Sequence, residues 1–266
     1  MSLDVQALDA LLERFANACR ADDRIVAGLL YGSHAAGTAD AHSDVDLVAV
    51  AAIGHRDDVW ADREVLVRAL GDPLQVEDFD DHDTVFFILA DGTDGELTVT
   101  DARGVPQSSR GPHRAIHDPD GMLAGVTFTG SQPDEDDQVE QLRRCVQWFW
   151  HDMAHFIAAM GRGQSWWAAG QLDALRGYCV NLARLRADFA GHLDEFDKLD
   201  TAVPAADLAP LASTYVPLDH GRMLVAARTM ADYYREVVAD LAAAHGIPYP
   251  TELEAVMRAR LDSLEP

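Results

Sequence analysis

The chain has a single lysine, Lys198, and its 21 basic residues face 45 acidic ones, for a formal net charge of −24 over 266 residues. A field of that sign repels phosphate backbones, which disfavours a polynucleotide partner and attracts a cationic small molecule. A salt-rich habitat or a codon bias towards Arg and Asp accounts for the same acidity. Cysteine is scarce: Cys19, Cys145 and Cys179 are odd in number, widely spaced and set among apolar neighbours. That excludes a disulfide framework or a cysteine zinc site and predicts buried thiols. No apolar run approaches the roughly 18 residues of a membrane span, and the acidic start MSLDVQALDA lacks the basic segment of a signal peptide. The expectation is a cytoplasmic protein with no membrane partner.

Hydrophobic residues make up 48% of the chain, enough for a globular protein with one large core or two modest ones. The most telling stretch is Leu30–Val50, LYGSHAAGTADAHSDVDLVAV. It reads as the end of an apolar strand (Ile25–Tyr31), a Gly32-Ser33 step, a short polar segment, and Asp44-Val45-Asp46 opening a second apolar strand. Side chains at i and i+2 of a strand share a face, so Asp44 and Asp46 present two carboxylates together. Val45, Leu47 and Val48 demand burial around them. Two like charges on a half-buried sheet are destabilising unless a cation compensates them, and the cation that suits carboxylates, waters and substrate phosphates is Mg²⁺. Gly32 lets the backbone come close to a ligand, while Ser33 offers a hydroxyl and an N–H at an expected helix start, a natural anion site.

Leu8, Leu11, Leu12, Phe15 and Cys19 recur at helical spacing and predict an amphipathic helix over 4–20. Strands are expected at Ile25–Tyr31 and Val45–Ala51, with a short helix around Ala35–Ala39 between them. Asp57–Leu70 reads as one helix stopped by Gly71 and Pro73, and Leu74–Phe79 as a short strand. Val85–Ala90 and Leu97–Thr100 flank the turn Asp91-Gly-Thr-Asp-Gly95 and predict a hairpin, which makes the sheet mixed. Val105–Ala124 reads as loop. After the acidic run Gly130–Asp137, helical periodicity takes over at Val139–Met160, Trp166–Ala190, Arg222–His245 and Thr251–Leu264, with a looser connection from Pro204 to Pro217. The fold class expected is an α/β (α+β) N-terminal domain with a small mixed sheet, residues 1–130, and an all-α helical bundle, residues 138–266. A cleft between them is expected to hold the substrates.

Apolar-Gly-Ser, a spacer, then Asp-apolar-Asp-apolar resembles the signature of the DNA polymerase β-like nucleotidyltransferase superfamily. Each half recurs by chance in a chain with 34 Asp, but the two in order between apolar runs are much rarer. The resemblance implies in-line attack on the α-phosphate of a nucleoside triphosphate, with metal neutralising the phosphoryl oxygens. It also implies a third carboxylate from a strand beside the first pair. Glu96 fits, because it opens the second hairpin strand with Leu97 and Val99 alternating behind it; there it completes the metal site or takes the proton of the attacking hydroxyl. Asp101 is the runner-up, placed past that strand and at odd spacing from Glu96.

FFILADGTDGELTVTDARGV, followed by AIHDPDGML, is similar to the hairpin and the following turn of aminoglycoside 6-adenylyltransferases. That family's metal-binding aspartates correspond to Asp44, Asp46 and Glu96, with Glu one methylene longer at the third place. The likeness is strongest over residues 25–125 and continues more weakly through QWFWHDMAHFIAAMGRGQSWWAAGQLDALR. Trp148, Phe149 and Trp150, with His151, Asp152 and His155, lie on that helix; they read first as core packing with one solvated face, and as a stacking surface for an acceptor second. Trp166 and Trp167 read as a helix-start anchor, and Asp152-x-x-His155 lacks the third ligand of a metal site.

The expected activity is Mg²⁺-dependent transfer of a nucleoside monophosphate, AMP from ATP, to a hydroxyl of a small molecule such as an aminoglycoside antibiotic. Asp44, Asp46 and Glu96 are expected to be catalytic and metal-binding, and Gly32 and Ser33 to bind nucleotide. Two alternatives stand beside it: an enzyme modifying tRNA or protein, and a nucleotide sensor without turnover.

Overall fold

The computed structural model describes residues 5–79, 83–108, 111–130, 135–191 and 196–264. The chain divides into two compact units, Met1–Ser131 and Gln132–Pro266. The acidic run that was expected to join them lies partly outside the described residues, at 131–134.

The first unit is built on a six-stranded mixed sheet. Helix α1 (Val5–Ala21) turns Leu11, Leu12, Phe15 and Cys19 inward at the predicted helical spacing. Strand β1 (Ile25–Leu30) leads through the one-turn α2 (Gly32–Ala36) into β2 (Val45–Ala51). The helix expected over 57–70 is two helices, α3 (Arg56–Ala61) and α4 (Arg63–Leu70). They part at Asp62, whose backbone leaves the helical region while its carboxylate pairs with Arg24 at 2.8 Å. Strands β3 (Pro73–Asp78), β4 (Thr84–Leu89) and β5 (Asp94–Asp101) follow, with β4 and β5 forming the expected hairpin. Asp101 therefore closes β5, and does not lie past it.

Within the stretch read as loop, Arg114–His117 forms β6, antiparallel to β1 at the sheet edge. The strand order is β3-β4-β5-β2-β1-β6; β2 and β5 run parallel and every other pairing is antiparallel. Strand alternation divides the interior side chains between two faces. Val45, Leu47, Ala49, Leu97 and Val99 pack with α1 and α4 in the larger core; Val48 and Val50 join Ala27, Leu29, Val105 and Leu123 on the opposite face.

The second unit is helical: α5 (Glu135–Gly161), α6 (Ser165–Ala187), the short α7 (Leu199–Ala202) and α8 (Ala205–Ala212), α9 (His220–Ala244) and α10 (Thr251–Asp262). Helix α8 occupies ground read as a loose connection, with Pro210 inside it. Phe149 of α5 stacks on Tyr234 of α9 at 3.9 Å, and the buried Tyr234 hydroxyl donates to the Val146 carbonyl at 3.2 Å, the partner a buried phenol requires. All three cysteines are free and buried. Among the described residues no helix is long and apolar enough to cross a membrane.

Candidate active site

Parallel pairing sets Asp46 of β2 directly beside Glu96 of β5, in a register that runs unbroken from Val45–Gly95 to Ala51–Asp101. Both side chains project from the face that carries Val48 and Val50. Gly95 makes the start of this register possible. A Cβ there would lie 2.2 Å from the Val45 carbonyl oxygen and 2.8 Å from the Phe87 ring, so a larger residue would push β5 off β2 just before Glu96. Asp44 stands one residue ahead of β2 and, by strand alternation, on the side of Asp46.

The turn out of β1 closes over the same point. Gly32 has φ +67°, and a Cβ on it would sit 1.9 Å from Asp46 Oδ2. Only a glycine meets both conditions: the left-handed backbone and a carboxylate resting against the α-carbon. Next in sequence, Ser33 Oγ and His34 Nε2 are two of six buried side-chain polar atoms without a hydrogen-bond partner among the described residues. Buried polar atoms in native proteins are nearly always paired, so two orphans in a row beside the carboxylates fit a ligand rich in acceptor oxygens.

Tyr31, unnoticed in the sequence, belongs to this row. Its backbone N–H donates to the Asp46 carbonyl at 3.0 Å, and its ring packs against the apolar cluster of the Val48 face. Burial and the nearby carboxylates of Asp46, Glu96 and Asp44 push its phenol well above the ordinary range. All three acids are therefore within electrostatic reach of one phenol. Strand alternation from Leu29 was the available signal: it puts Tyr31 on the Asp46 side.

The donors are all carboxylates, which suits a hard divalent cation. Mg²⁺ keeps several waters and takes one or two carboxylates plus substrate phosphates, so it needs no closed protein cage. Among the described residues no three His, Cys, Asp or Glu side chains are converged as such a cage. Asp101 is not part of the row. Its carboxylate accepts from the Arg103 and Gly104 N–H groups at 2.8 and 3.2 Å, closing the turn after β5. It lines a recess of about 460 Å³ with Ile53, Gly54, Arg56, Asp57, Thr100 and Arg103, at the opposite ends of β2 and β5.

In the helical unit Phe149 and Trp150 are core residues, whereas Trp148, Trp166 and Trp167 are exposed. His151 Nδ1 and Asp152 Oδ1 are 2.8 Å apart, and the Tyr178 hydroxyl donates to Asp152 Oδ2 at 2.9 Å. The rings of Trp148, His151, His155 and Trp167 follow one another at 4.8, 4.5 and 5.7 Å.

No family model matches the chain, and no curated protein matches it. Among solved structures, an aminoglycoside 6-adenyltransferase from Bacillus subtilis is similar over 96% of this chain and 98% of that one, at 13% identity and a TM-score of 0.44. At that identity and score the likeness assigns neither an activity nor a substrate to this chain.

Proposed function

We propose that the protein is a metal-dependent nucleotidyltransferase that moves a nucleoside monophosphate, AMP from ATP, to a hydroxyl of a small molecule. The observation that carries this reading is the meeting of Asp46, Glu96 and Gly32 at one point, with the unpartnered Ser33 hydroxyl beside it. Asp44, Asp46 and Glu96 would hold Mg²⁺, which supplies charge neutralisation at the phosphoryl oxygens when bound. Gly32, lacking a side chain, leaves the Asp46 carboxylate its place against the turn, and the Ser33 hydroxyl donates to one of the triphosphate oxygens. Glu96 orients the acceptor by accepting its hydroxyl proton, or completes the metal's carboxylate set. Either role needs its charge and its place next to Asp46.

The net charge of −24 favours a cationic acceptor over an anionic one, and a polycationic aminoglycoside is the acceptor proposed. The test is pyrophosphate release on incubation with Mg²⁺, each nucleoside triphosphate and a panel of aminoglycosides and neutral polyols. Release that needs both Mg²⁺ and an acceptor, and stops in Asp46→Asn, is the expected result. Nucleotide binding with no release from any acceptor would leave a sensor in place of the enzyme.

A further inference from the structure

Helix α5 carries a second set of donors, of a different kind from the carboxylate row. His151-Asp-Met-Ala-His155 places two imidazoles four residues apart, a spacing by which a helix presents two metal ligands on one face. The His151 side chain is half exposed and His155 partly so, which leaves both open to a solute. His151 Nδ1 lies 2.8 Å from Asp152 Oδ1, and the Tyr178 hydroxyl of α6 donates to Asp152 Oδ2 at 2.9 Å. An ionised carboxylate only accepts, so the ring proton of His151 sits on Nδ1 and its lone pair on Nε2. No hydrogen bond from the described residues occupies the His155 ring.

The two imidazole centres are 4.5 Å apart, with their planes at 39°. A metal about 2.0–2.1 Å from an imidazole nitrogen lies about 3.2 Å from the centre of that ring. Two rings bound to one ion at a right angle then have centres about 4.5 Å apart, and at the tetrahedral angle about 5.2 Å. The observed spacing fits the right angle of tetragonal Ni²⁺ or Cu²⁺ better than the tetrahedron of Zn²⁺. Flanking rings restrict the pair: Trp148 meets His151 edge-on at 4.8 Å, and Trp167 of α6 meets His155 edge-on at 5.7 Å. Among the described residues no third His, Cys, Asp or Glu joins them, so water or a solute would fill the other positions around an ion.

We propose that His151 and His155 form a site for a divalent transition-metal ion of the imidazole-preferring class, Ni²⁺ or Cu²⁺. Asp152 and Tyr178 are its positioning residues. A carboxylate on the far nitrogen of a ligating histidine fixes the tautomer and the ring orientation, and losing such a partner costs about 10–100-fold in metal affinity. The donors separate this site from the carboxylate row, since oxygen ligands suit Mg²⁺ and imidazole nitrogens suit transition metals. Nucleotidyl transfer plays no part in it.

Ni²⁺ is the probe, titrated into the full chain by calorimetry in excess Mg²⁺, which occupies the oxygen donors. One Ni²⁺ bound per chain with micromolar affinity is the expected result. His151→Gln and His155→Gln each remove an imidazole and should each weaken binding by at least about 10-fold. Asp152→Ala should weaken it by about 10–100-fold, and Asp152→Asn, which still accepts from Nδ1, by less. A carboxylate that served only the fold would impose no such ranking on Ni²⁺ affinity. Melting curves identify any variant that fails to fold, and alanine then replaces glutamine at that histidine. Absence of Ni²⁺ binding by the wild-type chain, or wild-type affinity in either histidine variant, overturns the proposal. Wild-type affinity in Asp152→Ala overturns the part assigned to Asp152 and Tyr178.

Discussion

Replacing Gly32 with alanine isolates the contact on which the site depends. Two effects add. The backbone at φ +67° becomes left-handed for a residue with a Cβ, which costs about 1–2 kcal/mol. The new methyl would also sit 1.9 Å from Asp46 Oδ2, and since such a contact cannot persist below about 3 Å, the carboxylate must retreat by about 1 Å. Displacements of that size in a catalytic array cost about 100-fold in rate. Gly37 supplies the control. It ends the same short helix at φ +71°, yet nothing lies within 4 Å of its Cβ position, so Gly37→Ala pays only the backbone strain. Both variants should melt a few degrees below wild type. Only Gly32→Ala should lose about 100-fold in kcat/KM for pyrophosphate release. Equal activities in the two variants would refute the reasoning, because Asp46 would then not be the group that the Gly32 backbone holds in place.

Asp46→Asn should abolish turnover and Mg²⁺-dependent ATP binding, while its melting temperature without metal holds or rises, since repulsion within the row is relieved; a large fall in melting temperature with turnover intact would show a structural carboxylate. Glu96→Gln should lower kcat far more than nucleotide affinity, whereas Asp101→Asn, at the other end of β5, should be near neutral. The reverse ranking in steady-state kinetics would move the third carboxylate to Asp101. Calorimetry should find an aminoglycoside bound with micromolar affinity that weakens between 0.15 and 1 M salt, as screening shortens from about 8 to about 3 Å. No binding at low salt by any aminoglycoside tried would remove the cationic acceptor and leave the carboxylate row as it stands.

The features legible in the sequence are those set by local pattern. Alternation around Asp46 announced β2, the turn Asp91–Gly95 announced the β4–β5 hairpin, and the spacing of Leu11, Leu12, Phe15 and Cys19 announced α1. Strand β6 was not legible. Four residues, Arg114–His117, carry no buried alternating pattern, and they become a strand because the outer edge of β1 needs partners for its backbone groups. The break at Asp62 was hidden for a related reason. It coincides with an ion pair to Arg24, 38 residues away, which no helical periodicity records.

The site divides along the same line. Gly32, Ser33, Asp44 and Asp46 were singled out because they crowd into 15 residues; Glu96 was chosen for its place at a strand start. That Glu96 stands opposite Asp46 depends on a parallel pairing between strands that the chain leaves and re-enters after two helices and two strands. Its register hangs on Gly95, which the sequence offers only as a turn glycine. Gly32 poses the same ambiguity. A Gly-Ser step cannot say whether its glycine serves a positive φ or a close approach, and here one residue meets both demands, with the approaching group being the carboxylate 14 positions later. Two glycines read locally as punctuation thus fix, through tertiary contacts, the positions of two carboxylates. Substitution at Gly32 should therefore disturb activity before it disturbs the fold, whereas at Gly95 it disturbs the pairing of β5 with β2 as well.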